Sequence, residues 1–286
     1  MKKFYMILAA VAAMSMSAQA QNVQTGSIEV GDYSNPTEIY NASYFSVAPT
    51  NFYLAHTGSQ LLYTADELAE LEGKGDVTIT KISFKFRNDD CYEEMMRDCK
   101  IYMQAVDDNA FAVVEGVKQF FAFDNMVYGG YENYDMLSLL YTDVDFDFEL
   151  TEPFVLPEGK NLLVTFVADA LDDDNCTYGT DCIPFYTSGI MNKGMTYTNN
   201  TVSFLEYAQG NDFPDATAML GCGTNVELPV TLIDYEYGGT TAVEEVKAAS
   251  QEDGAYYNLM GQKFNSDNNL PSGIYINNGQ KVVVGR

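Results

Sequence analysis

Apolar and polar residues alternate with a period of two along much of this chain. The clearest stretch is Thr142–Leu150, TDVDFDFEL, where Asp143, Asp145 and Asp147 interleave with Val144, Phe146 and Phe148. Successive strand residues point to opposite faces, so the pattern predicts a strand with one side in a core and one in water. In Asp76–Phe86, DVTITKISFKF, a strict period of two puts Val77, Ile79, Lys81, Ser83 and Lys85 on one face. Thr78, Thr80, Ile82, Phe84 and Phe86 fall on the other, and the second half predicts a half-buried strand. Cys99–Val106 (CKIYMQAV) and Asn161–Asp169 (NLLVTFVAD) continue the pattern, and Leu228–Tyr237 (LPVTLIDYEY) predicts the last strand of the body.

Helical periodicity is scarce. Only Thr64–Leu71, TADELAEL, predicts one or two turns, with Thr64 as N-cap and Glu67 three residues on. Turn signals recur roughly every ten to fifteen residues. They are Gly73/Gly75, Asp107-Asp108-Asn109, Gly129-Gly130, Pro157-Glu158-Gly159 and Asp172-Asp173-Asp174-Asn175. Many strands with almost no helix predict an all-β protein: an antiparallel β-sandwich of jelly-roll type over residues 21–237. Residues 238–255 are small, polar and charged and read as a linker. The last segment, 256–286, has three short apolar runs between turn residues and predicts a small C-terminal β-rich tail domain.

The N-terminus changes the picture by fixing a compartment. Lys2 and Lys3 precede an apolar run from Phe4 to Ala13, and Ala18-Gln19-Ala20 supplies small residues for a signal peptidase. Residues 1–20 therefore read as a signal peptide cut after Ala20, and the expected localisation is secreted or at the outer surface. No Cys lies near the cut to carry a lipid, and no later run is long enough to predict a membrane span. Formal net charge is −26. Loss of Lys2 and Lys3 with the leader makes it −28. Setting aside the tail's Lys263, Lys281, Arg286 and Asp267 leaves −30 on residues 21–255. So acidic a body repels nucleic-acid phosphates and anionic headgroups, and nucleic acid is not an expected partner.

Five cysteines lie in the exported part. An oxidising compartment permits disulfides, and the sequence-local pairs are Cys91–Cys99 and Cys176–Cys182, with Cys222 left over. Their spacing does not match a zinc site, and His56 is the one histidine.

A resemblance enters with Thr57–Phe86, TGSQLLYTADELAELEGKGDVTITKISFKF. Its Ser-Gln-x-x-Tyr element, short acidic helix and "ITKISF" strand resemble the opening of extracellular, adhesin-like β-sandwich modules of Bacteroidetes surface proteins. Arg97–Val106 and Pro153–Asp169 resemble later strands of those modules. In the tail, Tyr257–Gln262, Gly273–Ile276 and Lys281–Val284 resemble the sorting segment of proteins exported by type IX machinery. The tail lacks the Asn-Pro-bearing opening strand and is a shortened version. The resemblance implies a surface-located sandwich, export machinery as a partner of the tail, and no particular ligand.

Candidate chemistry is sparse. A nucleophile triad would have to use His56, with no Gly-x-Ser-x-Gly elbow, and neither a phosphate loop nor His-Glu-x-x-His occurs. Paired carboxylates could serve a carbohydrate-active hydrolase, and Asp145, Asp147, Glu149 and Glu152 come nearest to such a strand. Asp169, Asp172, Asp173, Asp174 and Asn175 gather oxygen ligands of the kind calcium takes, against the plain alternative of an acidic turn. No cofactor is required by the sequence. Tyr128, Tyr131, Tyr134 and Tyr141 cluster around Gly129-Gly130, and tyrosine suits a sugar face or a protein partner. The alternative is ordinary sheet packing. Phe120–Phe123 reads as core. The expected function is a non-catalytic binding or adhesion module for a glycan or a host or bacterial surface protein, with the hydrolase and a structural surface component as alternatives.

Overall fold

Alternating segments become strands, and two sheets face each other across one aromatic core. The computed structural model describes residues 23–38, 47–51, 54–89, 94–171, 185–206, 223–238, 256–258, 263–264, 273–277 and 280–284. The expected signal peptide lies outside the described residues. The chain divides into two units, Met1–Gly239 and Thr240–Arg286.

The first unit holds β1 (Gln24–Val30), β2 (His56–Tyr63), β3 (Val77–Arg87), β4 (Glu94–Val106), β5 (Val113–Val114), β6 (Val117–Lys118), β7 (Met126–Asp135), β8 (Asp143–Leu156), β9 (Asn161–Ala170), β10 (Gly194–Asn199) and β11 (Thr231–Tyr237). One sheet runs β1-β11-β3-β8 and the other β10-β2-β9-β4-β7, while β5 and β6 pair separately. The ladders are antiparallel. This is the all-β sandwich that the alternation predicts. Among the described residues no helix is long and apolar enough to cross a membrane.

Phe166 of β9 occupies the centre. From the opposite sheet Phe84, Phe146 and Phe148 approach it at ring-centroid distances of 6.1, 5.9 and 5.3 Å. Two of the three contacts are edge-to-face, the arrangement in which a ring edge meets the negative face of its neighbour. Ile82, Ile233, Ile101, Met103 and Val164 complete the fully buried layer.

Strict alternation fails in β3, for a local reason. The β3–β11 register shifts here, with Lys81 opposite Asp234 and Ile79 opposite the next residue Tyr235, so Thr80 is an extra residue in that ladder. A bulge of this kind reverses the parity of the residues that follow it. Val77 and Ile79 therefore point into the same core as Ile82, Phe84 and Phe86. On the outer face, Lys81, Lys85 and Arg87 of β3 pair with Asp147, Asp145 and Asp143 of β8 at 3.2, 2.5 and 3.6 Å. Burial pushes the Asp145 pKa up, but hydrogen bonds from Lys85 and Tyr33 prevail and hold it below the usual range. The acidic row of β8 is thus half of an ionic ladder.

Strand β9 is buried on both faces. Leu162, Val164, Phe166 and Ala168 enter the main core, while Leu163 and Val167 join a second cluster on the outer face of the five-stranded sheet. Phe111, Phe120, Phe123, Tyr197 and Phe204 build that cluster. Gln60 clamps the covering strap: its Nε2 donates to the Phe121 carbonyl at 2.8 Å, and the Phe121 N–H donates back to Oε1 at 2.7 Å.

One expectation is corrected. Gly129-Gly130 is not a turn but lies inside β7, paired with Lys100 and Cys99. The segment after Thr64 forms turns that end in a 3-10 helix at Ala69–Leu71, where TADELAEL predicts one or two helical turns. The Thr64 N–H does donate to Glu67 Oε2 at 2.7 Å, half of the expected capping box.

In the second unit β12 (Tyr256–Asn258), β13 (Lys263–Phe264), β14 (Gly273–Asn277) and β15 (Gln280–Val284) form a sheet in the order β13-β12-β14-β15. Its β14–β15 register runs from Gly273 opposite Val284 to Asn277 opposite Gln280.

Truncating the central ring should be costly. Phe166→Ala is expected to destabilise the protein by about 3–5 kcal/mol, read from denaturant unfolding, because the cavity forms where three rings converge.

Candidate functional site

Strand register assembles a polar row that linear sequence separates. Asn199 of β10 lies opposite His56 of β2, His56 opposite Asp169 of β9, Asp169 opposite Asp98 of β4, and Asp98 opposite Tyr131 of β7. Directly paired residues share a face, so all five point away from the main core. Four inter-strand steps make the row roughly 19 Å long.

Hydrogen bonds tie its middle together. His56 Nδ1 is 2.9 Å from Asp169 Oδ1, and Ser203 Oγ donates to Asp169 Oδ2 at 2.7 Å. Ser203 arrives there because residues 199–206 fold back on the sheet. Asn199 Oδ1 accepts from the Thr201 and Val202 N–H groups, and Phe204 stacks on Tyr197 at 5.1 Å. Gly58 makes room for that ring, since a Cβ there would meet Phe204 Cδ1 at 2.6 Å. Asp98 is bonded by the Lys100 ammonium. Two carboxylates directly opposed across a ladder repel, and here each has its own donors to offset the repulsion. The serine hydroxyl donates to the carboxylate and not to the imidazole, so His56, Asp169 and Ser203 do not form a nucleophile triad.

Exposure grades along the row. His56 and Asp169 side chains are each 17% exposed, Asp98 is 30% exposed, and Tyr131 reaches 74%. Gly129 and Asn133 flank Tyr131 on the same face of β7 and are also exposed. The row therefore runs from a closed polar knot at Asp169 to an open aromatic end.

The four predicted tyrosines do not form one surface. Tyr128 and Tyr134 point inward, Tyr128 against Phe148 at 5.0 Å and Tyr134 against Phe86 and Phe146 at 5.8 and 5.3 Å. Both hydroxyls donate to Glu132, Tyr128 in the shorter bond and Tyr134 at 3.4 Å. A Cβ at Gly130 would come within 2.6 Å of the Tyr128 hydroxyl, so glycine keeps that path open. Burial, followed by the Glu132 carboxylate, raises the pKa of both phenols well above the ordinary value. Tyr131 faces out alone, and Tyr141 sits exposed on a turn with φ +59°.

Of the calcium candidates, Asp169 is engaged by His56 and Ser203. Asp172, Asp173, Asp174 and Asn175 lie outside the described residues, and among the described residues no group of three or more His, Cys, Asp or Glu side chains is placed to hold a metal. Cys99 is a free thiol, correcting its expected pairing with Cys91. It sits well inside an extended strand with its side chain in the core, and burial pushes the thiol pKa far up. Cys91, Cys176 and Cys182 lie outside the described residues.

Sequence reasoning missed Asp98 and Ser203 and set His56 aside. The phase of β2, β4 and β9 puts His56, Asp98 and Asp169 on outward faces, but it does not show that they adjoin and carries no signal for Ser203, which lies after β10. Comparisons with family models, curated proteins and solved structures yield no match for this chain.

Two outcomes follow from the bonding. Asp169→Ala should cost about 1.5–3 kcal/mol in denaturant unfolding by orphaning the His56 and Ser203 contacts, with Asp169→Asn costing less. In an alkaline titration followed by tyrosinate absorbance, Tyr128 and Tyr134 should stay protonated past the ordinary phenol value of about 10. A folded pKa above the unfolded one stabilises below about pH 10, and that contribution declines as pH rises further.

Proposed function

We propose that this chain is a secreted or cell-surface, non-catalytic binding module of jelly-roll type. Its ligand, a glycan or a surface protein, docks on the outer face of the five-stranded sheet. The observation that carries the reading is the open end of the polar row. Tyr131 stands exposed beside the Asp98–Lys100 pair, with Gly129 leaving space next to it. A ring with a polar tip, bordered by fixed donors and acceptors, offers a stacking surface and orienting hydrogen bonds together. Strand order supports the jelly-roll assignment. Setting β10 aside, β1-β11-β3-β8 faces β2-β9-β4-β7, so the chain passes from sheet to sheet as paired Greek keys require. Export is supported by Lys2-Lys3, the apolar run after them and Ala18-Gln19-Ala20, and delivery through the tail by its likeness to a sorting segment.

A hydrolase reading has one observation of its own. Asp98 and Asp169 are direct cross-strand partners, which sets their Cβ atoms about 4.5–5.5 Å apart. Carboxyl groups of retaining glycosidases are separated by about 5–5.5 Å. Against it, both carboxylates are already engaged by neighbouring side chains.

A glycan and glycoprotein array probed with residues 21–286, with product release measured on the same samples, separates the two. Binding without turnover that weakens about tenfold or more in Tyr131→Ala and Asp98→Asn, at unchanged melting temperature, supports the binding module. Turnover that depends on Asp98 and Asp169 overturns it.

A further inference from the structure

A concave feature lies apart from the sheet face. The segment joining β2 to β3 and the turn joining β8 to β9 enclose a cleft of about 400 Å³. That is toward the small end of ligand pockets, which span about 300–1,000 Å³. Its floor is apolar, made by Leu68, Leu71, Val77, Leu156 and Pro157. Its rim is acidic: Asp66, Glu72 and Glu158 are exposed around the mouth. The one basic side chain in the lining, Lys160, has its ammonium 2.5 Å from Asp107, which is not part of the cleft.

Hydrogen bonds fix both walls in advance of any ligand. The Ala65 N–H donates to Asn161 Oδ1 at 3.0 Å, and Asn161 Nδ2 donates to the Asp108 carbonyl at 2.9 Å. The Leu68 N–H donates to the Thr64 carbonyl at 3.0 Å, closing the first turn of one wall. Across the cleft, the Glu158 N–H donates to Asp76 Oδ1 at 3.0 Å, tying the β8–β9 turn to the end of the β2–β3 segment. A site held open this way loses little freedom when it is filled.

Apolar floor and acidic rim select one chemistry. A ligand with an aliphatic stem and a terminal cation buries its methylenes on the leucines and leaves its charge among the carboxylates, as long basic side chains do. An anion is repelled at the rim. A neutral apolar group gains nothing from it. A second copy of this chain is a poor occupant, because its formal net charge of −26 opposes close approach. We propose that the cleft is a docking site for a lysine or arginine side chain presented by another protein. It stands independently of the sheet-face reading, since the two share no residue.

The test uses residues 21–286 and a blocked peptide, acetyl-Gly-Leu-Lys-Leu-Gly-amide, followed through the methyl NMR signals of Leu68, Leu71, Val77 and Leu156. Saturable shifts confined to those methyls are expected. Binding should weaken about five- to tenfold in the Glu72→Gln/Glu158→Gln double variant and with rising salt. A peptide with norleucine in place of lysine should bind about tenfold more weakly or worse. Ala69→Phe, at an exposed position in the lining, should block the cleft without entering the core. The proposal is overturned if the methyls do not respond, if the norleucine peptide binds equally, or if Ala69→Phe has no effect. It is also overturned if n-butylamine matches the peptide, marking a free-amine site, or if the shifts track protein concentration without peptide, marking self-association. None of these results bears on the array, which reads Tyr131 and Asp98.

Discussion

Everything in the body is arranged around the meeting of Phe166 with Phe84, Phe146 and Phe148. Those four rings come from the two sheets, and their contact is what makes the sheets one object. Register follows from it, because β3 or β8 shifted by one residue would turn its ring outward and bring Lys85 or the β8 acids toward the core. Register in turn sets which polar residues stand beside each other on the outer faces. The ionic ladder on one sheet and the polar row on the other are both by-products of how the aromatic core locks the phase of each strand.

The two outer faces use that phase differently. On the four-stranded sheet, cations of β3 stand opposite carboxylates of β8 and are matched within the face. On the five-stranded sheet, part of the outer surface is closed by the phenylalanine strap, and the remainder carries the row from Asn199 to Tyr131. There Tyr131 stands clear of the surface beside the Asp98–Lys100 pair. The cleft is a third environment, built from connections rather than strands, and its acidic rim sets it apart from the matched charges of the ladder.

The first part of strand β8, residues 143–150, could be read from the sequence residue by residue, since its acids face water and its Phe side chains face the core. Strand β9 could be placed but not understood: its pattern continues the alternation, yet both of its faces are buried, because Phe111, Phe120, Phe123 and Phe204 come from distant segments to cover it. The tyrosines show the opposite difficulty. Nearness in sequence suggested a shared surface around a Gly-Gly turn, but both glycines lie within a strand, and a strand sends neighbours to opposite sides. The polar row was out of reach for a further reason. His56, Asp98 and Asp169 come from three strands whose adjacency is a property of topology, and no local spacing encodes it. The cleft depends on side-chain clamps such as Asn161 and Asp76, whose partners lie far away in sequence.

The extra residue at Thr80 bears on how such a chain would be recognised at all. β3 is two apolar half-strands written in opposite phase, joined by one unpaired position. Any comparison that scores the strand as a single alternating word will find that half of it contradicts the other half. A relative lacking the bulge would align well on either side of it and poorly across it. Across this strand, such a relative would match throughout only with a one-residue gap opened at Thr80.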